Sequence, residues 1–558
     1  MRLFSFVGPL AVLLVGCGGG GGGGPTPPPP VGSTVVVSGK ITFDRIPFDT
    51  TLGGGLNPAA PVESPARHVV VEAIGSSNAV LATATTDASG DFALTVPRDS
   101  NIFLRAKARM LKTSAAPTWD FSVLDNTTGD ALWTLDGSSF NSGSANSTRN
   151  LRAASGWSGT DYTGTRAAAP FAILDTIYKA KELILTANAA AVFPALNLYW
   201  SPDNRTTITD FCPRTGDIGT SFYITAGAEN ECTPQGQVAE GIYILGDFQG
   251  GSGDTDEFDQ HVLAHEFGHY VEDKFARSDS IGGRHGGGDL LDLRVAFGEG
   301  WGNAFSAMVL GDPIYRDSAG GVDDDGGFNL EADSTIAEGW FSEASVGEIL
   351  WDIFDATADS GDNVALAFAP IYSVLTSTAV VQTEALTSIF PFATALRAAN
   401  AAASAAIGTL LGGESISGTD EFGNSEDNEG TDPTVLPIYT PIALNTPINV
   451  CSRSTAGSED GNKLGNRRFL RFVNDQARAV TIQAAGAAPN GSSVAATDPD
   501  IFVLNRGAVA ASGESTVAGN ETISQVPLAA GTYIIEVYDF EVIGTNQPPR
   551  CMNVSIQG

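Results

Sequence analysis

The chain has 558 residues, of which 42% are hydrophobic, and a formal net charge of −34 at pH 7. This length predicts several domains, and the apolar fraction is ample for folded cores. The strongly acidic balance excludes nucleic acid as a partner and favours a solvated exterior.

Residues 1–17 have the pattern of an export signal. Arg2 provides a positive charge, and the apolar run that follows is too short to predict a transmembrane helix. The end of this run, Leu14-Val15-Gly16-Cys17, resembles the lipobox of bacterial lipoproteins, which implies that a lipid is attached to Cys17. An ordinary secretory signal with an incidental cysteine is the alternative.

Residues 18–33 are a run of glycine followed by a proline-rich stretch, which predicts a tether that cannot pack into a core. Together with the lipobox, the tether indicates an exported bacterial protein of the cell envelope, in the outer membrane or outside the cell. We expect its only membrane contact to be this N-terminal anchor.

Four cysteines remain once Cys17 is set aside, and in an exported chain they predict two disulfides. Their spacing favours a local Cys212–Cys232 pair and a long-range Cys451–Cys551 pair, although three pairings are open. A zinc site made of cysteines is the weaker alternative, because the chain has no closely spaced Cys-x-x-Cys pair.

Residues 34–145 contain short runs of β-branched and aromatic residues, with a hairpin turn at Asp87–Asp91. These runs predict a β-sandwich, and the segment resembles the carboxypeptidase regulatory-like domain. It contains no catalytic constellation. We expect it to act as a scaffold.

The region from 146 to 440 carries the motif that suggests chemistry, His265-Glu266-Phe267-Gly268-His269. Residues four apart on a helix share a face, so His265 and His269 can bind one metal ion while Glu266 reaches the water beside it. The chain has only 5 histidines, so a chance match is improbable. The motif predicts a zinc hydrolase.

Zinc hydrolases usually provide three protein ligands, and the third has to come from elsewhere in the chain. Residues 289–311 predict a second helix, capped by Asp289 and ended by Gly311. Within it, glycines surround Glu299, which allows two helices to approach closely, and Asn303 lies one turn on, where it can orient a ligand histidine. Four other acids compete for the ligand role: Glu331, Glu338, Glu343 and Glu348.

The motifs at 265–269 and 298–303, with Ile242–Asp247 before them, resemble the glutamate-zincins of the thermolysin and fungalysin type. The resemblance implies an α+β catalytic domain, mainly helical around one zinc ion, that hydrolyses protein or peptide substrates. It also implies three zinc ligands and a general base. Asn303 stands where the family has an aspartate. The implied site is His265, His269 and Glu299 on zinc, with Glu266 as base.

No histidine follows His285, so the late histidine that such enzymes use to stabilise the transition state has no counterpart. We assign the oxyanion donor to His285 or to one of the tyrosines Tyr315, Tyr372 and Tyr439. A strand at 222–225 or 242–245 is expected to form the sheet edge that pairs with substrate backbone. The acidic run at 322–327 has the ligand type that Ca²⁺ prefers, but a solvated loop is the favoured interpretation.

Residues 345–356, 364–378 and 383–411 predict a helical lobe below the site. Residues 441–558 again predict strands and resemble the bacterial pre-peptidase C-terminal domain, a β-sandwich. The sequence therefore predicts a multidomain monomer with a zincin-type α+β domain flanked by two β-sandwiches. The alternative is a surface adhesion or structural protein with a non-catalytic metal site; an intact Glu266 argues against it.

Overall fold

The computed structural model describes most of the chain. The described residues are 33–49, 55–206, 211–226, 231–232, 236–319, 323–324, 327–332, 336–356, 363–457, 459–488, 497–542 and 548–558. The predicted signal segment, Cys17, nearly all of the tether and part of the acidic run at 322–327 lie outside these residues. Within them, no helix is long and apolar enough to cross a membrane.

The N-terminal region is built of strands, as its alternating apolar residues predict. One sheet forms around the first strand, and a second contains the third, fourth, sixth and seventh strands. In chain order the strands are β1 (Thr34–Arg45), β2 (Val62–Pro65), β3 (Val69–Ile74), β4 (Val80–Thr85), β5 (Asp91–Pro97), β6 (Asn101–Lys112), β7 (Trp119–Asp125), β8 (Ala131–Leu132), β9 (Thr134–Asp136), β10 (Phe140–Asn141), β11 (Ser147–Thr148) and β12 (Leu151–Ala153).

The central region alternates strands with helices and then becomes mainly helical. Its elements are α1 (Ala169–Ala187), β13 (Leu196–Trp200), β14 (Phe222–Ile224), β15 (Glu231–Cys232), β16 (Gly236–Gln237), β17 (Gly241–Ile244), β18 (Gly246–Asp247), β19 (Asp254–Thr255), α2 (Gln260–Phe275), α3 (Leu293–Leu310), β20 (Ser318–Ala319), β21 (Asp323–Asp324), α4 (Glu343–Phe354), α5 (Phe368–Leu375), α6 (Thr378–Val381), α7 (Ile389–Ala399) and α8 (Ser404–Gly413).

One sheet crosses the boundary predicted at residue 145. Strand β13 pairs in parallel with β7, from Leu196 opposite Phe121 to Tyr199 opposite Leu124. The sheet then continues through β17 to β14, so its order is β14-β17-β13-β7-β6-β3-β4. Strands β3, β4 and β6 to β10 of the N-terminal region are therefore part of the sheet that lies against α2, whereas β1, β2, β5, β11 and β12 form a separate sheet. A sequence pattern locates strands but does not specify which strands pair. The sequence prediction therefore assigned β7 and β13 to different domains.

Two helix boundaries differ from the sequence prediction. The cap of α3 is Asp292, whose side chain accepts a hydrogen bond from the Arg294 backbone, and not Asp289. Gly311 ends α3 in the left-handed conformation, as predicted. The segment predicted as helical from 383 to 411 divides into α7 and α8, and α7 ends at Ala399 with Asn400 as its C-cap.

The C-terminal strands form two sheets, β22-β24-β29-β26-β27 and β23-β30-β25-β28, around an apolar core of their own. The strands are β22 (Tyr439–Ile442), β23 (Ile448–Ser452), β24 (Arg467–Asn474), β25 (Arg478–Ala487), β26 (Pro499–Asn505), β27 (Ala508–Gly513), β28 (Asn520–Leu528), β29 (Gly531–Asp539) and β30 (Arg550–Gln557). The whole chain is thus a mixed α and β molecule with several sheets.

Both predicted disulfides are present. Cys212 is bonded to Cys232, and Cys451 to Cys551. The second pair joins directly opposed positions of β23 and β30, near the start and the end of the C-terminal sheets. It closes a loop of sequence separation 100, so it restricts the unfolded chain over this whole region.

Candidate metal centre

Helices α2 and α3 bring three side chains together at one point. His265 Nε2 lies 3.0 Å from His269 Nε2. The Glu299 Oε2 atom lies 3.1 Å from the first of these nitrogens and 3.3 Å from the second. The histidines come from one face of α2, four residues apart, and the glutamate comes from the facing turn of α3.

This spacing fits a zinc ion. Two ligands about 2.0–2.1 Å from a tetrahedral zinc are about 3.3 Å apart, close to all three separations found here. Without a metal ion between them, one of the two imidazole nitrogens has to carry a hydrogen and donate it to the other at 3.0 Å. The donor set of two imidazoles and one carboxylate is also one that zinc accepts.

Asn303 orients the first histidine. Its Oδ1 atom lies 2.9 Å from His265 Nδ1 and accepts the hydrogen on that nitrogen. The hydrogen bond places the lone pair of His265 on Nε2, the atom that faces the cluster. Asn303 thus makes the orienting contact with His265 that the sequence predicted, with an amide where the family has an aspartate.

The glycines around Glu299 make room for specific neighbours. A Cβ added at Gly302 would lie 2.7 Å from the His265 ring, and one added at Gly300 would lie 2.5 Å from Val346 Cβ. Gly268 on α2 faces the Cα of Gly302 in the same way. Trp301, fully buried, fixes the contact by donating to the Gly268 carbonyl at 2.9 Å.

Glu266 lies beside the cluster on the same helix and is buried. Burial raises the pKa of its carboxyl, while His265, His269 and the nearby Tyr223 backbone oppose that rise. Tyr223 belongs to β14, which is the last strand of its sheet among the described residues. The strand predicted to receive substrate therefore lies near the residue predicted to act as base.

The cluster acids and histidines stabilise one another's charged forms. Burial disfavours the Glu299 carboxylate, but His269 and His285 outweigh burial and hold its pKa well below its usual range. Burial likewise opposes a charged His269, yet Glu299 raises its pKa to about 9. A negative side chain at Glu299 is therefore the stable state of this site.

His285 reaches the cluster from the loop between α2 and α3. Its Nε2 atom lies 3.2 Å from Glu299 Oε2, and its Nδ1 atom lies 2.8 Å from Glu343 Oε2. Burial opposes its charged form, but these two carboxylates raise its pKa to about 11. Of the predicted oxyanion donors, His285 is the one in direct contact with a predicted ligand.

The three tyrosines differ in their positions. The Tyr315 ring centroid lies 6.2 Å from that of His265, and burial raises the pKa of its phenol well above the usual value, so it remains a donor. The Tyr439 hydroxyl accepts from the Leu386 backbone at 3.0 Å. The Tyr372 ring packs against Phe275 and Phe368. These contacts of Tyr372 and Tyr439 do not involve the cluster.

Three of the four competing acids, Glu331, Glu338 and Glu343, contact other side chains. Glu331 accepts from the Trp351 indole at 2.6 Å, and Glu338 from Ser415 at 3.1 Å. Glu343 contacts His285, a partnership that the sequence did not reveal because 58 residues separate the two. No local spacing rule reports such a contact.

Comparisons with known proteins give only distant likenesses. No family model and no curated protein matches the chain. Among solved structures, the pre-peptidase C-terminal domain of a Bacillus anthracis collagenase is 14% identical, covers 21% of this chain and 94% of its own, and has a TM-score of 0.15. A periplasmic inhibitor of g-type lysozyme from Aeromonas hydrophila is 13% identical, covers 21% of this chain and 97% of its own, and has a TM-score of 0.14. Likenesses this weak carry no argument about fold or function.

Proposed function

We propose that the chain is an exported zinc-dependent endopeptidase. The observation that carries this proposal is the convergence of His265, His269 and Glu299 at zinc-ligand spacing, with Glu266 next to His265 on the same helix. A purely structural metal site has no use for a buried carboxylate there. The proposal thus favours an enzyme over an adhesion or structural protein.

His265, His269 and Glu299 would hold the metal. Zinc, when bound, supplies Lewis acidity and lowers the pKa of water to near neutrality. Glu266 would take a proton from the attacking water and pass it to the leaving amine. His285 and Tyr315 are the described donors placed to stabilise the oxyanion that develops on the substrate.

The substrate class follows from the sheet edge. Strand β14 pairs on one side with β17, from Phe222 opposite Tyr243 to Ile224 opposite Gly241. An extended peptide that adds to its other side would lie near Glu266, since the Tyr223 backbone is close enough to that carboxylate to lower its pKa. Strand addition recognises backbone, so we expect protein or peptide substrates with limited dependence on their sequence.

Export is proposed from the two disulfides together with the N-terminal sequence. Disulfides persist in oxidising compartments outside the cytosol. If Cys17 carries a lipid, Cys17→Ala should release the protein from the membrane fraction. Unchanged membrane partitioning of the variant in a fractionation experiment would contradict the anchor.

The central experiment combines zinc analysis with casein digestion. Glu266→Gln should retain about one zinc per chain and lose digestion, because it keeps the ligands and removes the base. Glu299→Ala should lose both. Glu272→Gln is the matched control on the same helix: burial raises the pKa of Glu272 to about 8, so the carboxyl is already mainly neutral at pH 7.

The control should therefore retain zinc and digestion. Equal digestion by wild type and Glu266→Gln would refute the proposed mechanism. Full zinc occupancy in Glu299→Ala would refute the ligand assignment even if the mechanism survives.

A further inference from the structure

A third histidine lies on the face of α2 that carries the proposed zinc ligands. His261 precedes His265 by four residues, as His265 precedes His269, so the three lie on one face of the helix at successive turns. His261 is 4% exposed, and among the described residues it belongs to no group of side chains that could hold a metal ion. The reason for a histidine at this buried position therefore has to be found in its other contacts.

One ring nitrogen of His261 links α2 to α3. Its Nδ1 atom lies 3.1 Å from the Ser306 hydroxyl, and that hydroxyl donates to the Asn303 carbonyl at 2.8 Å. Because the hydroxyl has a single hydrogen and gives it to Asn303, Nδ1 of His261 is the donor to Ser306. This bond lies about one helical turn from the bond between His265 and Asn303. It restricts the orientation of the His261 ring.

The other ring nitrogen has no hydrogen bond. Since Nδ1 carries the hydrogen, Nε2 is an acceptor, and it is buried without a partner among the described residues. Burial lowers the pKa of His261 to about 3, so the ring is neutral at pH 7 and adds no charge beside the proposed zinc site. A buried acceptor without a donor destabilises the fold, and an apolar side chain would avoid that cost. Stability alone therefore does not account for a histidine here.

The ring of His261 packs against Tyr315, one of the two side chains proposed as oxyanion donors. The two ring centroids are 5.3 Å apart, and the Tyr315 ring also lies 6.2 Å from that of His265. Phe328 stacks on Tyr315 at 4.8 Å, and its carbonyl accepts from the Tyr315 backbone at 2.8 Å. Burial, and after it nearby carboxylates that include Glu266, raise the pKa of the phenol. Tyr315 is thus held close to the proposed base and to a proposed zinc ligand.

We propose that His261 is a positioning residue, which holds the Tyr315 phenol beside the zinc site so that Tyr315 donates to the developing oxyanion. Ser306 fixes the ring of His261, and that ring, together with Phe328, confines the ring of Tyr315. The inference rests on the proposed peptidase function and names the donor that the function uses.

Two substitutions separate the two contacts of His261. His261→Phe retains a ring against Tyr315 and loses the donor to Ser306, whereas His261→Asn retains a donor and loses the ring. We expect His261→Asn to lower kcat by about 10-fold with KM unchanged, a part of the about 10²–10³ that is lost with an oxyanion donor. His261→Phe should stay close to the wild-type kcat, and both variants should retain zinc.

A double substitution tests whether His261 acts through Tyr315. In Tyr315→Phe the hydroxyl is already gone, so adding His261→Asn should lower kcat no further, whereas independent effects would multiply. His68→Asn is the matched control, because His68 packs edge-on against Tyr178 at 5.0 Å, away from the zinc site. It should leave kcat unchanged.

The position of Tyr315 can be measured without activity, by ¹⁹F NMR of protein labelled with 3-fluorotyrosine. The Tyr315 signal is the one that Tyr315→Phe removes. We expect a single narrow Tyr315 signal in wild type, His261→Phe and His68→Asn, and a broadened or split signal in His261→Asn, where the ring is no longer confined.

A narrow, unshifted Tyr315 signal in His261→Asn would overturn the proposal, whether or not the protein is a peptidase. An equal loss of kcat on adding His261→Asn to wild type and to Tyr315→Phe would also overturn it. If the wild type digests no peptide, the proposed function fails, and the ¹⁹F spectra still decide whether His261 holds Tyr315.

Discussion

Gly302 shows how closely the proposed zinc site is fitted at the scale of single residues. We predict that Gly302→Ala lowers zinc affinity by about 10–100-fold, the effect usual for displaced ligand support, because the new methyl would overlap the His265 ring. Gly298→Ala is the matched control. There the nearest heavy atom would be 3.5 Å away, so the exchange should stabilise α3 by about 0.4–1 kcal/mol.

Zinc titration and thermal unfolding of both variants check this prediction. Equal zinc affinity in Gly302→Ala and wild type would mean that the His265 ring can move without loss of binding.

His285 supports a second prediction at this scale. We expect His285→Ala to retain zinc and to lower kcat by about 10²–10³, the usual cost of losing an oxyanion donor. Tyr315→Phe tests the other nearby donor, and Tyr439→Phe serves as the control because its hydroxyl contacts the Leu386 backbone. If both His285→Ala and Tyr315→Phe turn over peptide at the wild-type rate, neither side chain is the donor.

The sequence located the residues of the cluster but not all of its contacts. His265, Glu266 and His269 follow a spacing rule of one helix, and Glu299 follows a family pattern, so their proximity could be anticipated. The contact of Glu343 with His285 could not, because it depends on where α4 packs. The need for glycine at position 302 could not be anticipated either, because it depends on where the His265 ring lies.

At the scale of elements, the loop that carries His285 is held by the C-terminal region. Asn462 Nδ2 donates to the Gly282 and Arg284 carbonyls, at 2.9 and 3.1 Å. Lys463 Nζ donates to the same Arg284 carbonyl at 2.6 Å, and the Arg284 backbone donates to Asp460 at 2.7 Å. The segment that precedes β24 therefore positions a loop of the candidate active site.

We predict that Asn462→Ala retains zinc and lowers kcat, by less than His285→Ala does. Losing two hydrogen bonds loosens the loop but leaves the imidazole in place. Asn449→Ala, in β23 of the same region, is the control, since its side chain bonds to Asn553 in β30. A kcat for Asn462→Ala equal to that of wild type would show that the loop holds its position without this contact.

Helix prediction succeeded where periodicity and end signals agreed, as at the Gly311 end of α3. It failed at the start of α3 because Asp289 and Asp292 are both acceptable caps in sequence, and only the fold shows which one faces the first turn.

At the scale of the whole molecule, the described regions are coupled more closely than the sequence indicated. The N-terminal strands continue into the sheet beside α2, and one apolar core runs from Val35 to Ile534. The domain limits that were inferred from composition mark the points where the chain changes from strands to helices or back. They do not report long-range strand pairing, which is determined by the packing of both faces of the sheet.

The last prediction concerns the ion pairs that attach the C-terminal region to α3. Glu536 on β29 accepts from Arg294 Nη1 at 2.7 Å and also from Arg467. All three lie at the buried contact between the region and the helix that carries Glu299. Burial alone would raise the pKa of Glu536, but the two guanidinium groups outweigh burial and lower it to about 2.

The sign of the pH effect follows from this depressed pKa. The carboxylate stabilises the folded state fully above about pH 4.5, its unfolded value, and the contribution is lost as pH falls towards 2. Glu536→Gln should therefore destabilise the protein by about 3 kcal/mol at pH 7, the lower end for a broken buried pair because Arg294 retains Asp292. The difference in melting temperature between variant and wild type should narrow steadily below pH 4.5.

Thermal unfolding from pH 7 to pH 3 measures that difference, with Glu514→Gln, at an exposed acid of the same region, as the control that should show none. A difference that stays constant down to pH 3 would mean that the Glu536 charge does not hold this contact, and the effect of the substitution would then have to come from packing alone.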